Sequence, residues 1–558
     1  MRSPTQSARQ RNIAAAAGAG IVSFVCLFSH LGSLGLVGPD EPRYVWIARA
    51  MAETGDWVTP TLYGKPWFEK PVLYYWAAAL GFRLHLPIEW AARLPSAVAA
   101  LAAAIAIAWL GWKHYGPSRD WLGAPWLLAP VVFCTGVAAI GFARAATPDM
   151  LFASAITLAM ACAASVLRHN GELRAQDDSS SAAAVPSQHH GLAMLALFGV
   201  FLGLGVLAKG PAAVILAGGA IGIWALATQK WRAAFRLAGP VGIATFALVA
   251  LPWYVICARR NSDFLRVFIF QHNFERYLTP VFQHKQPFWF FIPITLLALL
   301  PWTAFSIGSL QEGLRLWREK SWTRSPGFFF ACWGIFPIVF FSFSESKLPS
   351  YILPAVPALA LITSVGAIRA FERSRSTALL ICAGTSMVWI GLVIFLIQAA
   401  RAGSLNNMGS PGMFLLAVII ALATVIGAVL VYAGLRQDPR LAAGVCCLGV
   451  LFAVEVANIV VLPALDPTVS ARPYAQMLQR DLHPDRIFEF RVTRAWDYGL
   501  AFYFRRELPE WSPEDPNAAL VLTNRAGFAQ IVKNGRFHGE LQQPPKRIFL
   551  VPIEAAPH

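Results

Sequence analysis

Ionisable residues gather where the first apolar stretch of the chain gives way to polar sequence. Asp40 and Glu41 stand side by side there, and Arg43 follows two residues later. Carboxylates beside a membrane are costly unless they are paired or used in chemistry. A cap at the start of a helix is the alternative, because an acidic residue followed by proline suits a helix N-terminus. We favour a functional role for the acidic pair, and both roles can hold together.

A second group lies in the run from Trp67 to Trp76, where Glu69 and Lys70 precede a proline and several aromatic residues, among them Tyr74. An ammonium can bind a phosphate, and the rings can stack on a sugar. An aromatic belt at the membrane interface with a snorkelling lysine explains the same residues. On local sequence alone, the two interpretations are equally good.

Further charged residues flank apolar stretches at the same predicted outer side of the membrane. Asp149 stands at the start of one stretch, where it suits a helix N-terminus with or without a role in chemistry. The cations are Lys209, Arg276 and Lys347, and Tyr351 follows the last of these. If they converge, they form a site for one or more lipid phosphates.

The composition sets the class of protein that holds these residues. Of 558 residues, 56% are hydrophobic and only 14% are charged, whereas soluble domains have about 25% charged residues. This indicates a multi-span membrane protein and excludes disorder as the main state. The eight cysteines lie in or beside apolar stretches, which excludes a disulfide scaffold. The net charge of +16 is distributed between those stretches, so anionic membrane lipids are expected partners and nucleic acid is not.

A membrane-spanning helix needs about 20 apolar residues, and about thirteen stretches approach that length. They are roughly 13–36, 89–112, 121–141, 149–168, 191–208, 211–229, 237–257, 288–310, 326–344, 351–371, 377–399, 412–434 and 441–463. With a cytoplasmic N-terminus, every cytoplasmic loop is basic, as the positive-inside rule requires. Residues 38–88 and 258–287 then form long outer loops, in which Arg43–Ala52 and Pro71–Leu84 are predicted to be interfacial helices.

The C-terminal residues have a different pattern. Residues 464–558 alternate strand-like runs (Arg486–Val492, Ala519–Thr523, Arg547–Pro552) with helix-like runs (Pro473–Arg480, Gly527–Lys533). This pattern predicts a small α/β domain, which thirteen spans would place outside the membrane. The predicted fold is therefore an α-helical polytopic membrane domain, residues 1–463, followed by an extracytoplasmic α/β domain, residues 464–558.

The motifs resemble those of a known family. The Asp40-Glu41 pair in the first outer loop is similar to the signature of GT-C glycosyltransferases that use polyprenyl-linked sugar donors. Phe68-Glu69-Lys70-Pro71 and the run Ser346–Pro354 resemble the lipid A 4-amino-4-deoxy-L-arabinose transferases. The likeness covers the membrane region and the order of its spans, while the C-terminal region agrees in position and size without a shared motif.

The resemblance implies an inverting pentosyltransferase in the bacterial inner membrane with its active site on the periplasmic side. It would move 4-amino-4-deoxy-L-arabinose from undecaprenyl phosphate to lipid A phosphates, which lowers the negative charge of the outer membrane and gives resistance to polymyxin and cationic antimicrobial peptides. Asp40, Asp149 and Glu41 would be catalytic. The donor and its phosphate would be bound by Arg43, Lys70, Tyr74, Lys209, Arg276, Lys347 and Tyr351.

The chemistry of such a transfer agrees with these residue types. Carboxylates stabilise an oxocarbenium-like transition state, and a phosphate leaving group needs cations more than a general acid. An acceptor phosphate is already ionised, so Asp40 would orient the acceptor or the sugar amine. Glu69 and His272 could hold a divalent metal ion together with a donor phosphate. Neither has local ligand spacing, so ordinary hydrogen bonding is favoured over a metal site, and the sequence gives no requirement for a cofactor.

Two other functions remain open at the level of sequence. A GT-C enzyme of another specificity, such as a protein O-mannosyltransferase, would share the scaffold and differ in its acceptor. A lipid transporter or flippase would also have many helices and buried charge. Against transport stand the long outer loops, the C-terminal domain and the absence of an apparent internal repeat.

Overall fold

The structure is a computed structural model. It describes residues 4–116, 124–173, 188–275, 285–401, 409–481, 487–512, 514, 519–535, 537 and 548–553. Most of these residues are helical. The α-helices are Pro4–Phe28, Asp40–Thr54, Leu73–Arg83, Ile88–Tyr115, Pro125–Cys134, Val137–Ala143, Asp149–His169, Gln188–Lys209, Ala212–Thr228, Trp231–Leu237, Pro240–Arg260, Phe291–Ala298, Ser306–Arg318, Pro326–Ser342, Val356–Arg373, Arg375–Arg401, Gly409–Arg436, Pro439–Val456, Leu462–Val469, Arg472–Asp481, Arg494–Phe504 and Arg525–Lys533.

Apolar helices account for all thirteen predicted stretches. Among the described residues, eight helices are long and apolar enough to cross a membrane, or up to ten if two bent helix pairs each form one span. The stretches near residues 13–36, 211–229 and 326–344 correspond to the shorter apolar helices Ile13–Phe28, Ala212–Thr228 and Pro326–Ser342. The chain is therefore a multi-span membrane protein, and the number thirteen stays a prediction.

Two predicted spans are bent. The helices Pro125–Cys134 and Val137–Ala143 meet at 61°, and Phe288–Ala298 meets Trp302–Arg318 at 102°. Both breaks occur beside residues that do not continue a helix well, Gly136 in the first pair and Pro301 in the second. Apolar content predicts such segments but does not reveal their bends.

The first outer loop folds into two buried helices and a short hairpin. Asp40–Thr54 and Leu73–Arg83 confirm the predicted helices and pack against each other. Between them β1 (Thr61–Leu62) pairs antiparallel with β2 (Lys65–Pro66). Tyr74 and Tyr75 are fully buried, so the second helix contributes to the core as well as to the predicted interface.

The C-terminal region contains a three-stranded sheet in the order β3-β4-β5. Strand β3 (Ile487–Phe490) pairs parallel with β4 (Ala519–Thr523), and β4 pairs antiparallel with β5 (Phe549–Ile553). The three predicted strands and both predicted helices are present. The helix Arg494–Phe504 was not predicted from sequence, although Trp496, Leu500 and Phe504 have the four-residue spacing of a buried helix face and are all buried.

The C-terminal region is joined to the segments on either side of the first outer loop by a polar contact centred on Arg472. Arg472 pairs with Asp466 at 2.6 Å and with Glu89 at 3.2 Å, and it donates to the carbonyl oxygen of Gly32 at 2.8 Å. The Tyr503 hydroxyl also donates to Glu89, at 3.1 Å. Because both regions supply partners to Arg472 and Glu89, these contacts hold the helices Arg472–Asp481 and Arg494–Phe504 against the start of the helix Ile88–Tyr115.

Candidate active site

A cavity of about 1340 Å³ lies where the first outer loop meets the ends of the membrane helices. It gathers side chains from segments that are far apart in the chain. Among the predicted site residues, its lining includes Asp40, Arg43, Glu69, Lys70, Asp149, Lys209 and Tyr351. Rings from Trp67, Phe152, Phe340 and Phe341 give it apolar walls, so it can accept a ligand that has both charged and apolar groups.

On one side of the cavity, Arg43 links the two predicted motifs of the first outer loop. Its guanidinium lies 2.5 Å from the Asp40 carboxylate and 3.0 Å from that of Glu69, which also lies 3.3 Å from the Lys70 ammonium. Asp40 is the first residue of its helix and keeps 54% of its side chain exposed, whereas Arg43 keeps 6%. Arg43 therefore fixes two carboxylates, and Asp40 still faces the cavity.

The buried environment of Arg43 favours its charged form. The guanidinium carbon lies about 5.5 Å from the ring centres of Tyr44 and Tyr498 and 5.6 Å from that of Trp67. Burial lowers the pKa of Arg43, but the Glu69 carboxylate and other neighbours outweigh it and leave the pKa above its ordinary value. Arg43 remains a fixed cation in the wall of the cavity.

The cavity lining holds a second ion pair. The Lys209 ammonium donates to the Asp149 carboxylate and lies 5.2 Å from the ring centre of Tyr351. Asp149 is the first residue of its helix and Lys209 the last of another, and Gly210 follows with φ of +94°. Such a φ is strained for residues with a Cβ, so this glycine lets the chain turn directly after Lys209.

Glu41 is placed differently from its neighbour Asp40. Its carboxylate accepts from the backbone N–H groups of Val37 at 2.9 Å and Ala146 at 2.8 Å, and it pairs with Arg93 at 2.9 Å. Glu41 is buried and is not among the residues that line the cavity. In the described residues it ties the start of the Asp40 helix to the segment that leads to Asp149, which is a positioning role.

The remaining predicted residues are distributed as follows. Tyr74 is buried and donates to the carbonyl oxygen of Ala92 at 2.8 Å, and burial together with Glu41 raises its pKa. Lys347 is buried and donates to the carbonyl oxygen of Ser344, a cavity residue. Arg276 lies outside the described residues. The structure thus brings neither Tyr74 nor Lys347 into the described lining of the cavity.

The predicted metal pair receives no geometric support in the part of the chain described. Glu69 is engaged by Arg43 and Lys70. His272 lies within the π-helix Arg266–Glu275, and only its backbone position is described. Among the described residues, no group of three or more His, Cys, Asp or Glu side chains could hold a metal ion.

Sequence analysis missed residues that complete the site. Arg93 lies inside a predicted span, where the pairing of its charge with Glu41 could not be foreseen. Arg494 and Tyr498 belong to the unpredicted helix Arg494–Phe504, and Arg494 lines the cavity. The spacing of apolar residues in that helix was the available signal, but it gives no hint of where the helix docks.

The sequence is similar to that of known glycosyltransferases. Residues 27–268 match the dolichyl-phosphate-mannose-protein mannosyltransferase family. The undecaprenyl phosphate-alpha-4-amino-4-deoxy-L-arabinose arabinosyl transferase of Edwardsiella ictaluri is 31% identical over 324 residues, 58% of this chain and 54% of the relative. The transferase of the same name from Erwinia tasmaniensis is 30% identical over 391 residues, 69% of this chain and 61% of the relative. The chain is similar in sequence to these arabinosyl transferases. The matches cover less than two thirds of each relative's own length.

A solved structure shares the fold of this chain over nearly its whole length. ArnT from Cupriavidus metallidurans, bound to undecaprenyl phosphate, superposes with a TM-score of 0.73 and 21% identity, covering 98% of this chain and 99% of that one. The predicted α-helical polytopic membrane fold is therefore confirmed. The division into residues 1–463 and 464–558 stays a prediction.

Proposed function

We propose that the protein transfers 4-amino-4-deoxy-L-arabinose from undecaprenyl phosphate to the phosphate groups of lipid A. The observation that carries the proposal is the cavity itself. It places the carboxylates of Asp40 and Asp149 and the ammonium groups of Lys70 and Lys209 between aromatic walls. Similarity to the named arabinosyl transferases supports the choice of sugar and carrier.

The reaction exchanges one glycosidic bond for another. The bond between the anomeric carbon and the donor phosphate oxygen breaks, and the bonding electrons leave with undecaprenyl phosphate. An oxygen of the acceptor phosphate attacks from the opposite face, which inverts the anomeric centre. Lys70 and Lys209 stabilise the charge that grows on the leaving phosphate, and a carboxylate near the sugar stabilises the positive charge on the ring.

The ion pairs of the cavity fit an acceptor that is already ionised. Attack by a hydroxyl needs a strong general base, whereas attack by a phosphate does not. Asp40 contacts Arg43 and Asp149 contacts Lys209. Carboxylates held in this way are suited to orient the acceptor or the sugar amine, as sequence analysis predicts for Asp40.

The same proposal assigns a place in the cell and a physiological effect. The cavity would open to the periplasmic side of the bacterial inner membrane, where lipid A is reached before export. Each aminoarabinose adds a positive charge to a phosphate, so the outer membrane would bind polymyxin and cationic peptides less strongly. Membrane lipids supply the apolar path along which the polyprenyl chain enters.

Mass spectrometry of lipid A tests the proposal directly. A host that lacks such transferases but makes the donor is compared with and without the full chain and with Asp40→Asn. We expect the mass of one aminopentose per modified phosphate only with the active chain. An unchanged lipid A profile, with the protein present in the membrane and the donor available, contradicts the proposal.

A second candidate rests on the match of residues 27–268 to the protein mannosyltransferase family. Membranes that contain the chain are incubated with donor lipid and with either lipid A or a Ser/Thr-rich peptide. Sugar on the peptide alone would assign a hydroxyl acceptor. Movement of the lipid across liposomes without any glycosylated product would instead indicate a flippase.

A further inference from the structure

Arg494 brings a cation from the C-terminal region into the cavity. It is the first residue of the helix Arg494–Phe504, which follows strand β3 and packs on the helix Asp40–Thr54. Its side chain lines the cavity and is exposed. The other cations in the described lining come from earlier parts of the chain. Arg43 and Lys70 lie in the first outer loop, Lys209 and Arg260 end membrane helices, and Arg266 begins the π-helix Arg266–Glu275.

Arg494 differs from those cations in its partners. Each of the others has a carboxylate within 4.0 Å: Arg43 has Asp40 and Glu69, Lys70 has Glu69, Lys209 has Asp149, Arg260 has Asp56, and Arg266 has Asp263. Within the described residues, Arg494 forms no ion pair. Its hydrogen bond is to Tyr498, whose hydroxyl accepts from Nη2 at 3.4 Å. Asp497 is a nearby carboxylate: burial and Glu507 raise its pKa, and Arg494 opposes that rise without an ion pair closer than 4.0 Å in the described residues. The guanidinium therefore keeps its capacity to bind an anion.

Tyr498 fixes Arg494 relative to the reacting groups. The ring centre of Tyr498 lies 5.7 Å from the guanidinium carbon of Arg494 and 5.5 Å from that of Arg43. Arg43 in turn holds Asp40 at 2.5 Å. The tyrosine also stacks on Tyr63 at 6.4 Å. The Tyr498 ring is thus close to two cations. One is Arg494, which forms no ion pair in the described residues, and the other is Arg43, which pairs with the candidate catalytic carboxylate of Asp40.

We propose that Arg494 binds a second, non-reacting phosphate of the acceptor, and so makes the site selective for a doubly phosphorylated glycolipid. This inference rests on the proposed function. Lys70 and Lys209 lie beside the aromatic walls of the cavity, and the proposed function assigns them to the phosphate of the polyprenyl donor. Arg494 lies in the same lining but on a helix of the C-terminal region, so it can bind a different phosphate. A guanidinium recognises a phosphate through two parallel hydrogen bonds.

Steady-state kinetics of the full purified chain test this assignment. The donor is held saturating, and the acceptor is either lipid A with two phosphates or its monophosphorylated form. For Arg494→Gln we expect the KM for the doubly phosphorylated acceptor to rise about tenfold, as expected for loss of about 1.4 kcal/mol of binding. The kcat, the KM for donor and the KM for the monophosphorylated acceptor stay within twofold of the parent. Arg494→Lys recovers part of the affinity.

The matched control is Arg525→Gln. Arg525 is also exposed, is also the first residue of a helix in the C-terminal region, and is absent from the described lining of the cavity. An unchanged KM in Arg494→Gln, an equal rise for both acceptors, or the same rise in Arg525→Gln overturns the inference. A parent protein that transfers sugar to neither acceptor overturns the proposed function instead.

Discussion

The adjacent carboxylates at the start of the helix Asp40–Thr54 have different surroundings. Asp40 faces the cavity with 54% of its side chain exposed, while Glu41 has 10% exposed and is held by Arg93 and two backbone N–H groups. The cap alternative for Asp40 receives no support, because the helix has no side-chain cap. We therefore propose Asp40, and not Glu41, as the carboxylate that acts on the substrate.

Asp40→Asn is expected to lower the rate of transfer by about a hundredfold or more, the scale of losing one well-placed charge in a transition state. The asparagine is isosteric and can still accept from Arg43, so the amount of folded protein should stay near that of the parent. Initial rates with purified donor and lipid A measure the effect. Full activity in the variant would assign Asp40 to structure alone.

Lys70→Ala should remove a charge-assisted hydrogen bond to the leaving phosphate, about 1.5–3 kcal/mol. That corresponds to a loss of roughly ten- to more than a hundredfold in kcat/KM, and Lys70→Arg should recover part of it if charge matters more than shape. The orientation of the spans suggests Arg315 as a silent control. The structure excludes that choice, because Arg315 pairs with Glu312 at 2.7 Å and Glu319 at 2.8 Å.

Arg318→Ala is the better control for Lys70→Ala, because Arg318 is exposed near the same end of the same helix as Arg315. Its transfer rate should equal that of the parent. Equal losses in Lys70→Ala and Arg318→Ala would show that the site or the topology is assigned wrongly.

Among the helices, Arg472 joins the helix Arg472–Asp481 to the start of the helix Ile88–Tyr115 and to the chain at Gly32 and Ser33. Arg472→Ala leaves Asp466 and Glu89 without their shared cation and frees two backbone carbonyls. Removing one partner of a largely buried ion pair is strongly destabilising, so Tm should fall by several degrees and activity with it. Thermal unfolding in detergent measures the change. Arg480→Ala, an exposed change in the same helix, should leave Tm unaltered, and a parallel fall would contradict the assignment.

Strand β3 carries a carboxyl that makes stability depend on pH. Burial, with Asp497, Glu510 and Glu507 nearby, raises the pKa of Glu489 to about 8, whereas an unfolded chain has about 4.3. Between these values the folded protein keeps a proton that the unfolded chain has lost, so this contribution to stability falls as pH rises. Glu489→Gln should raise Tm at pH 8.5 relative to the parent, and the gain should shrink towards pH 5. A gain that is the same at both pH values would contradict this interpretation.

For the whole molecule, the cavity constrains the topology. Asp40 and Arg494 line one cavity, so the first outer loop and the C-terminal region must lie on one side of the membrane. The ion pairs of Glu312 with Arg369 and Arg373 lie at the other ends of the spans. The placement of the first outer loop and the C-terminal region on one side of the membrane therefore does not depend on whether the spans number thirteen.

Single cysteines test this arrangement with an impermeant maleimide. Lys65→Cys and Glu510→Cys, both at exposed positions, should be labelled from the same side of intact vesicles, and Arg318→Cys only from the other. The eight native cysteines are buried or partly buried, which keeps the background low. Labelling of Lys65→Cys and Glu510→Cys from opposite sides would contradict the shared cavity.

Sequence alone determined the class of protein, the apolar helices, the C-terminal strands and the residue types of the site. These follow from local physics, because apolar length and periodicity depend on neighbouring residues. Tertiary structure decided which charges meet. Asp149 pairs with Lys209, Arg43 reaches Glu69, and Arg494 enters the cavity from a helix that sequence analysis missed. These contacts join remote segments through the packing of whole helices, and no local pattern specifies which ends of those helices come together.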